Sequence, residues 1–286
     1  MTRRGLIAPA FGALVTACSP LAMLNQFGAR DPGVRHVARD LTYGDNPRQT
    51  FDIHAPEAAT PDTPLPVLVF FYGGGWDSGS RTLYAWAAHA LAAKGFVVAV
   101  PDYRVVPEVY FPAFIEDAAA ATAAVAGVVA RYGGDPDRLG VLGHSAGGHL
   151  AMMITLDRRY MAAVGQPDLI RAAAGLAGPY EFLPFDVDAS RNAFGRAPDP
   201  TLTQPVTFVR ADAAPIWLGH GTADVTVHDD DTIILNDRMH AVGGRSEARL
   251  YPGLNHEDLI ATFSPWFRKK APVLDDVARF FHRELD

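Results

Sequence analysis

The sequence predicts an α/β chain built on a mostly parallel, doubly wound sheet with helices on both faces, and three observations predict it. First, short apolar runs recur at Val67 to Phe71, Phe96 to Val100, Arg138 to Leu142, Arg171 to Leu176, Pro215 to Leu218 and Ala248 to Tyr251. Runs of this length and composition fit strands buried on both faces. Second, helix-prone stretches lie between or after them, at Leu83 to Lys94, Ile115 to Tyr132, Gly147 to Leu156, Asp231 to Val242 and Leu274 to Glu284. Third, Val34 to Tyr43 and Gln49 to Ile53 flank the turn signal Gly44-Asp45-Asn46-Pro47, which predicts an antiparallel edge pair ahead of the parallel core. No internal repeat interrupts the alternation.

With 286 residues, 49% of them hydrophobic, the chain is long enough to bury one large core, and a single domain over 35–286 is the simplest division. A formal net charge of −7 argues against a nucleic-acid partner, because a polyanion needs a basic face that outweighs the repulsion. The one basic cluster, Arg268-Lys269-Lys270, reads as the solvated start of the last helix.

The chemistry is expected at Gly143-His144-Ser145-Ala146-Gly147, which follows an apolar strand and precedes a helical stretch. A serine on so sharp a strand-to-helix turn holds strained backbone angles, and the positions two before and two after it need almost no side chain. Ser145 is therefore the candidate nucleophile. An activated serine needs a base, an acid to orient the base, and donors for the oxyanion. His256, in Tyr251-Pro252-Gly253-Leu254-Asn255-His256 after the last strand, is the candidate base, expected on a loop. Asp224, just past the strand Pro215 to Leu218, is the candidate acid. Asp229, Asp230 and Asp231 compete with it but read as the first turn of a helix, where carboxylates are favoured by the helix dipole. The donors are expected from Gly73-Gly74-Gly75 after the strand Val67 to Phe71, with Gly74, Gly75 and the N–H of Ala146 as candidates.

These pieces, with Pro101-Asp102-Tyr103-Arg104 between them, resemble the α/β-hydrolase superfamily, within the H-G-G-G esterase groups that include hormone-sensitive-lipase-like and feruloyl-esterase or formamidase-like carboxylesterases. The resemblance runs from about Tyr43 to the C-terminus, and the order serine, acid, histidine is the one this superfamily uses. One departure stands out: Tyr72 occupies the place where these groups usually carry histidine, which leaves open how the glycine loop is braced. The resemblance implies a serine carboxylesterase acting on small esters through an acyl-enzyme, with no cofactor. Alternatives are an arylformamidase or other amidase using the same triad, and a hydrolase-fold binding protein without activity. No metal-binding spacing occurs in the sequence.

The stretch 178–212, rich in Pro, Phe and Asp, is too long for a plain loop and falls where this superfamily inserts caps. Tyr180, Phe182, Leu183 and Phe185, with Trp76 and Tyr103, are candidate walls of a substrate pocket. Among the other histidines, His144 should point away from the nucleophile, His220 should brace the acid loop, and His149 should be packed or half-exposed.

The N-terminus differs from the rest. Arg3 and Arg4, an apolar stretch from Gly5 to Ala17 and the single cysteine, Cys18, resemble a secretory signal in 1–18, followed by a tether over 19–34. Val15-Thr16-Ala17-Cys18 further resembles a bacterial lipobox, so lipidation at Cys18 and a place in the bacterial cell envelope are expected, with membrane contact only through that anchor. A plainly cleaved signal is the alternative.

Overall fold

The computed structural model describes residues 23–25, 28 and 30–286; the segment carrying Cys18 lies outside them. Eight strands form one sheet in the order β1-β2-β4-β3-β5-β6-β7-β8. They are β1 Val34–Thr42, β2 Thr50–Pro56, β3 Leu65–Phe71, β4 Val97–Pro101, β5 Gly134–His144, β6 Ala172–Leu176, β7 Ile216–Gly221 and β8 Ser246–Tyr251. The first two pair antiparallel with each other, β2 pairs antiparallel with β4, and every later pairing is parallel. The expected fold class is thus the observed one.

Burial explains the order. Strands β4, β6 and β7 are buried along their whole length, as apolar runs covered on both faces must be. At the margins, β1 and β8 carry charged residues and are largely exposed, which blunts both sheet edges.

The helices are α1 Ala85–Ala92, α2 Ala113–Val128, α3 Ala146–Leu156, α4 Arg158–Ala163, α5 Asp188–Phe194, α6 Asp230–Ala241, α7 His256–Ala261 and α8 Val273–Leu285. Helices α1 and α8 pack together, while α2 packs on α3 and α4. Helix α3 is buried at every position, so the apolar sequence Leu150 to Leu156 needs no polar stripe. Helix α4 has no counterpart in the sequence reading. Its start is marked by Asp157, whose carboxylate accepts the N–H of Arg159, a capping signal readable in the sequence. The basic triplet forms a short 3₁₀ turn, Arg268–Lys270, ahead of α8 rather than its first turn, and Arg268 grips Asp31 through two hydrogen bonds of 2.8 Å.

After β3 the chain runs to β4 on one side of it and then to β5 on the other, which makes the carboxyl ends of β3 and β5 a topological switch point. Between β6 and β7 lies the insertion, containing α5 and the 3₁₀ turns Pro200–Thr203 and Pro205–Phe208. It covers this end of the sheet.

Candidate active site

Ser145 joins β5 to α3 with φ 56° and ψ −125°, a conformation an L-residue holds only when its surroundings impose it. The imposition is visible. A Cβ on Gly143 would lie 2.0 Å from the carbonyl oxygen of Gly147, and one on Gly147 would lie 2.1 Å from that of Phe71. The Ser145 N–H donates to Leu176 O at 2.8 Å, which ties the turn to the next strand.

The Ser145 hydroxyl donates to His256 Nε2 at 2.8 Å, and His256 Nδ1–H donates to Asp224 Oδ2 at 2.7 Å. The three candidates named from sequence are therefore brought into one hydrogen-bonded chain. Asp224 sits after β7, and its other oxygen accepts the N–H groups of Thr226 at 2.8 Å and Val227 at 3.0 Å. Burial alone would raise its pKa. Hydrogen bonds from His220, His256 and the Val227 backbone outweigh that, and the carboxyl sits well below its ordinary range. His220 is fully buried between Val227 O and Thr232 Oγ1, each 2.9 Å away, with Nε2 3.3 Å from Asp224 Oδ2, so it braces the acid loop.

His256 is not on a loop, as its sequence context suggests, but is the first residue of α7. Asn255 caps that helix by accepting the N–H of Asp258 at 2.8 Å, and Glu257 and Asp258 fill the first turn. The Asn-x-x-Asp spacing is a helix start that the sequence carries. The competing acid Asp231 instead accepts the backbone N–H groups of Tyr180 and Glu181 and so anchors the beginning of the insertion.

Gly75 and Ala146 border a cavity of about 270 Å³ that opens at Ser145. Gly74 does not line it, and its carbonyl closes a turn by accepting from Asp77 N at 3.1 Å and Ser78 N at 3.0 Å. Among the described residues, the N–H groups of Gly74 and Gly75 donate to no carbonyl or side chain, and Ala146 N–H lies in the first turn of α3, where helix donors are free. The bracing question raised by Tyr72 also resolves. Its ring stacks on Tyr103 at 4.9 Å, and its hydroxyl accepts from Arg48 at 2.9 Å. Arg48 also donates to Gly79 O at 3.0 Å and Tyr103 O at 2.8 Å. Nothing in the sequence around Arg48, on a turn before β2, signals this role.

Of the candidate pocket residues, Trp76, Phe182 and Leu183 line the cavity. Tyr103 and Tyr180 do not. Tyr103 is fully buried, its hydroxyl donating to Tyr72 O at 3.0 Å, and Tyr180 is fully buried against Gly175 and Gly178. Both aromatics follow strands whose ends point toward the site, but their rings turn into the core rather than out of it. Phe185 likewise packs on Phe182 and Phe194 without reaching the cavity. Residues that the sequence did not single out complete the wall, among them Glu181, Val187, Thr226 and His228. His149 is packed as expected, donating through Nε2 to Thr203 O at 2.8 Å, with burial pushing its pKa down to about 4. No cluster of side chains among the described residues has the arrangement of a metal site.

The BD-FAE family profile matches residues 51–239. Among curated proteins, the chain is 30% identical over 273 residues to isoprenylcysteine alpha-carbonyl methylesterase ICME of Arabidopsis thaliana, covering 87% of this chain and 63% of that protein. It is 31% identical over 244 residues to esterase LipC of Mycobacterium tuberculosis, covering 76% and 59% respectively. The chain thus spans about three-fifths of the length of these relatives. Among solved structures, Thermogutta terrifontis esterase 2 phosphonylated by sarin superposes with a TM-score of 0.73 at 25% identity, covering 85% of this chain and 94% of that one. With its eight-stranded sheet, its serine turn and this match over most of its length, the chain belongs to the BD-FAE family within the α/β-hydrolase superfamily.

Proposed function

We propose that this protein is a serine carboxylesterase that hydrolyses small carboxylic esters through an acyl-enzyme. The observation that carries the reading is the unbroken chain Ser145 Oγ–His256–Asp224, with links of 2.8 and 2.7 Å, opening on a cavity. His256 Nε2 takes the hydroxyl proton as Ser145 Oγ attacks the ester carbonyl carbon. The ionised Asp224 holds the ring's tautomer and stabilises the imidazolium. Charge developing on the carbonyl oxygen is met by the free N–H groups of Gly75 and Ala146, with Gly74 beside them. His256 then protonates the leaving alkoxide, and the reverse sequence with water releases the acid. The relatives named as esterases support ester over amide hydrolysis, and a structural neighbour phosphonylated by sarin supports an activated serine.

The test is covalent. A fluorophosphonate should label the wild-type protein at Ser145 and leave Ser145→Ala unlabelled, and p-nitrophenyl acetate should give a burst of one p-nitrophenol per chain before steady turnover. A wild-type protein inert to both reagents refutes the reading, and faster cleavage of N-formylkynurenine than of any ester makes it an amidase instead. From the lipobox-like sequence alone, we also propose that Cys18 is lipidated and holds the enzyme in a bacterial envelope. Radiolabelled palmitate incorporated by the wild-type protein and not by Cys18→Ala checks it.

A further inference from the structure

Several histidines pack around the site, and the one that precedes the nucleophile is buried beside the base without being part of the proton path. His144 immediately precedes Ser145, is 2% exposed, and donates from Nε2 to the backbone carbonyl of His256 at 3.1 Å. Its ring lies 4.9 Å from the His256 ring at a tilt of 43°. On the other side, its Nδ1 faces the glycine loop, 3.1 Å from where a Cβ on Gly73 would sit. One side chain therefore touches the base and the loop that carries the free N–H groups, while its backbone runs directly into the nucleophile.

We propose that His144 is a positioning residue that clamps the backbone of His256 relative to Ser145. The inference rests on the triad reading above. The hydrogen bond between Ser145 and His256 must break and re-form in every cycle, so it cannot by itself hold the two segments in register. The His144–His256 carbonyl bond does not take part in proton transfer and persists throughout. Because His256 begins the short helix α7 rather than lying within a long one, its backbone needs such an external tie. Only a neutral ring suits the role: burial first, and then the neighbouring His256, push the His144 pKa down to about 3. With Nε2 carrying the proton, no second cation competes with the imidazolium formed 4.9 Å away. A displacement of about 1 Å between reacting groups costs on the order of 100-fold in rate, which sets the scale of what the clamp protects.

The side-chain amide of glutamine places its N–H₂ where Nε2 of histidine lies, whereas that of asparagine reaches only to the Nδ1 position. His144→Gln should therefore keep kcat close to wild type, and His144→Asn should lose about 10- to 100-fold in kcat with KM unchanged. Fluorophosphonate labelling should slow in parallel with kcat. Asparagine turning over like wild type, or glutamine slowed as far as asparagine with both variants melting like wild type, overturns the proposal. If the asparagine variant does not fold, glutamine decides alone: a folded but slow His144→Gln is enough to reject the clamp. The low-field proton resonance of His256 Nδ1–H supplies a readout independent of turnover. It should persist in wild type and His144→Gln and be lost or shifted in His144→Asn. A wild-type protein that shows this pattern and hydrolyses no ester would sink the proposed function and leave the clamp standing.

Discussion

Two buried histidine-rich clusters lie in this molecule, and only one is organised to move a proton. At the antiparallel edge, His36 of β1 stacks on His54 of β2 at 4.3 Å, and His54 meets His89 of α1 edge-on at 4.9 Å. Asp52 Oδ2 lies 3.2 Å from His36 Nε2 without hydrogen-bond alignment, while its Oδ1 pairs with Arg81, which also takes Asp40 and Asp102. Around Ser145, by contrast, His256 and His220 have both ring nitrogens assigned to partners, and of the two only His256 links the Asp224 carboxylate to the hydroxyl of Ser145, at the mouth of the cavity. Histidine density and burial are shared by both regions. Directional pairing at the edge of a cavity is not, and that is what turns an imidazole into a general base.

The largest effect that can break this contrast is removal of the nucleophile. Ser145→Ala should cost on the order of 10⁶-fold in kcat with the melting temperature nearly unchanged, measured with p-nitrophenyl butyrate. At the other cluster, Arg81→Met should reverse that signature. It strands the buried Asp52 and Asp102 and should lower the unfolding free energy in urea by about 3–5 kcal/mol while leaving kcat of the folded protein unchanged. Between the two extremes lies the glycine loop. Gly75 has φ +59°, so Gly75→Ala swings its N–H away from the cavity and should lower kcat by about 10²-fold, with KM little affected.

The histidines themselves sharpen the comparison through pH. Burial depresses the pKa of His89 and His149 to about 4 and that of His144 to about 3, from an unfolded value of 6.5. His54 is also well below its ordinary value, for the same reason first. The unfolded chain binds protons that the folded one refuses, so stability is complete above about pH 6.5 and declines as pH falls toward the folded values. Each such group contributes about 1.4 kcal/mol per pH unit across that window. Melting curves between pH 7 and 5 should show the decline, and His89→Leu should flatten it without changing kcat at neutral pH. An equal slope in that variant would mean that the edge cluster is already open to protons. The smallest effect concerns substrate charge. Among the described residues, no lysine or arginine lines the cavity at Ser145, whereas Glu181, Asp186 and Asp231 do. An acyl group with a free carboxylate, as in p-nitrophenyl hemisuccinate, should react about two- to fivefold more slowly than a neutral one, and Asp186→Asn should recover part of the difference.

Much of this site was legible before any coordinates, for physical reasons that differ between residues. Ser145 stands out because its strained turn demands glycines at fixed offsets, a local requirement written into five consecutive positions. Asp224 and His256 are legible because each follows a strand that ends on the catalytic side of a parallel sheet. The helix that starts at His256 was missed, although Asn255 and Asp258 signal it, because the tyrosine-proline-glycine turn just ahead reads as a loop. The role of Arg48 in bracing Tyr72 was illegible: it joins a turn near the start of the domain to a loop more than twenty residues later, and no spacing rule connects them. Trp76 and Tyr103 looked equivalent as aromatic residues beside the site, yet Trp76 lines the cavity with its backbone at φ 61° while Tyr103 points inward to Tyr72.

The sequence by itself determined the alternation of strands and helices, the strained turn that bears Ser145 and the chain order of Ser145, Asp224 and His256. Each of these depends on neighbours within a few positions, where backbone sterics and hydrophobic period act directly. Tertiary structure alone decided which aromatic rings face the cavity, which histidines stay neutral in the core, and how His144 and Arg48 tie separate segments together. Those outcomes depend on side-chain direction and burial, which arise only when segments distant in the chain pack against one another.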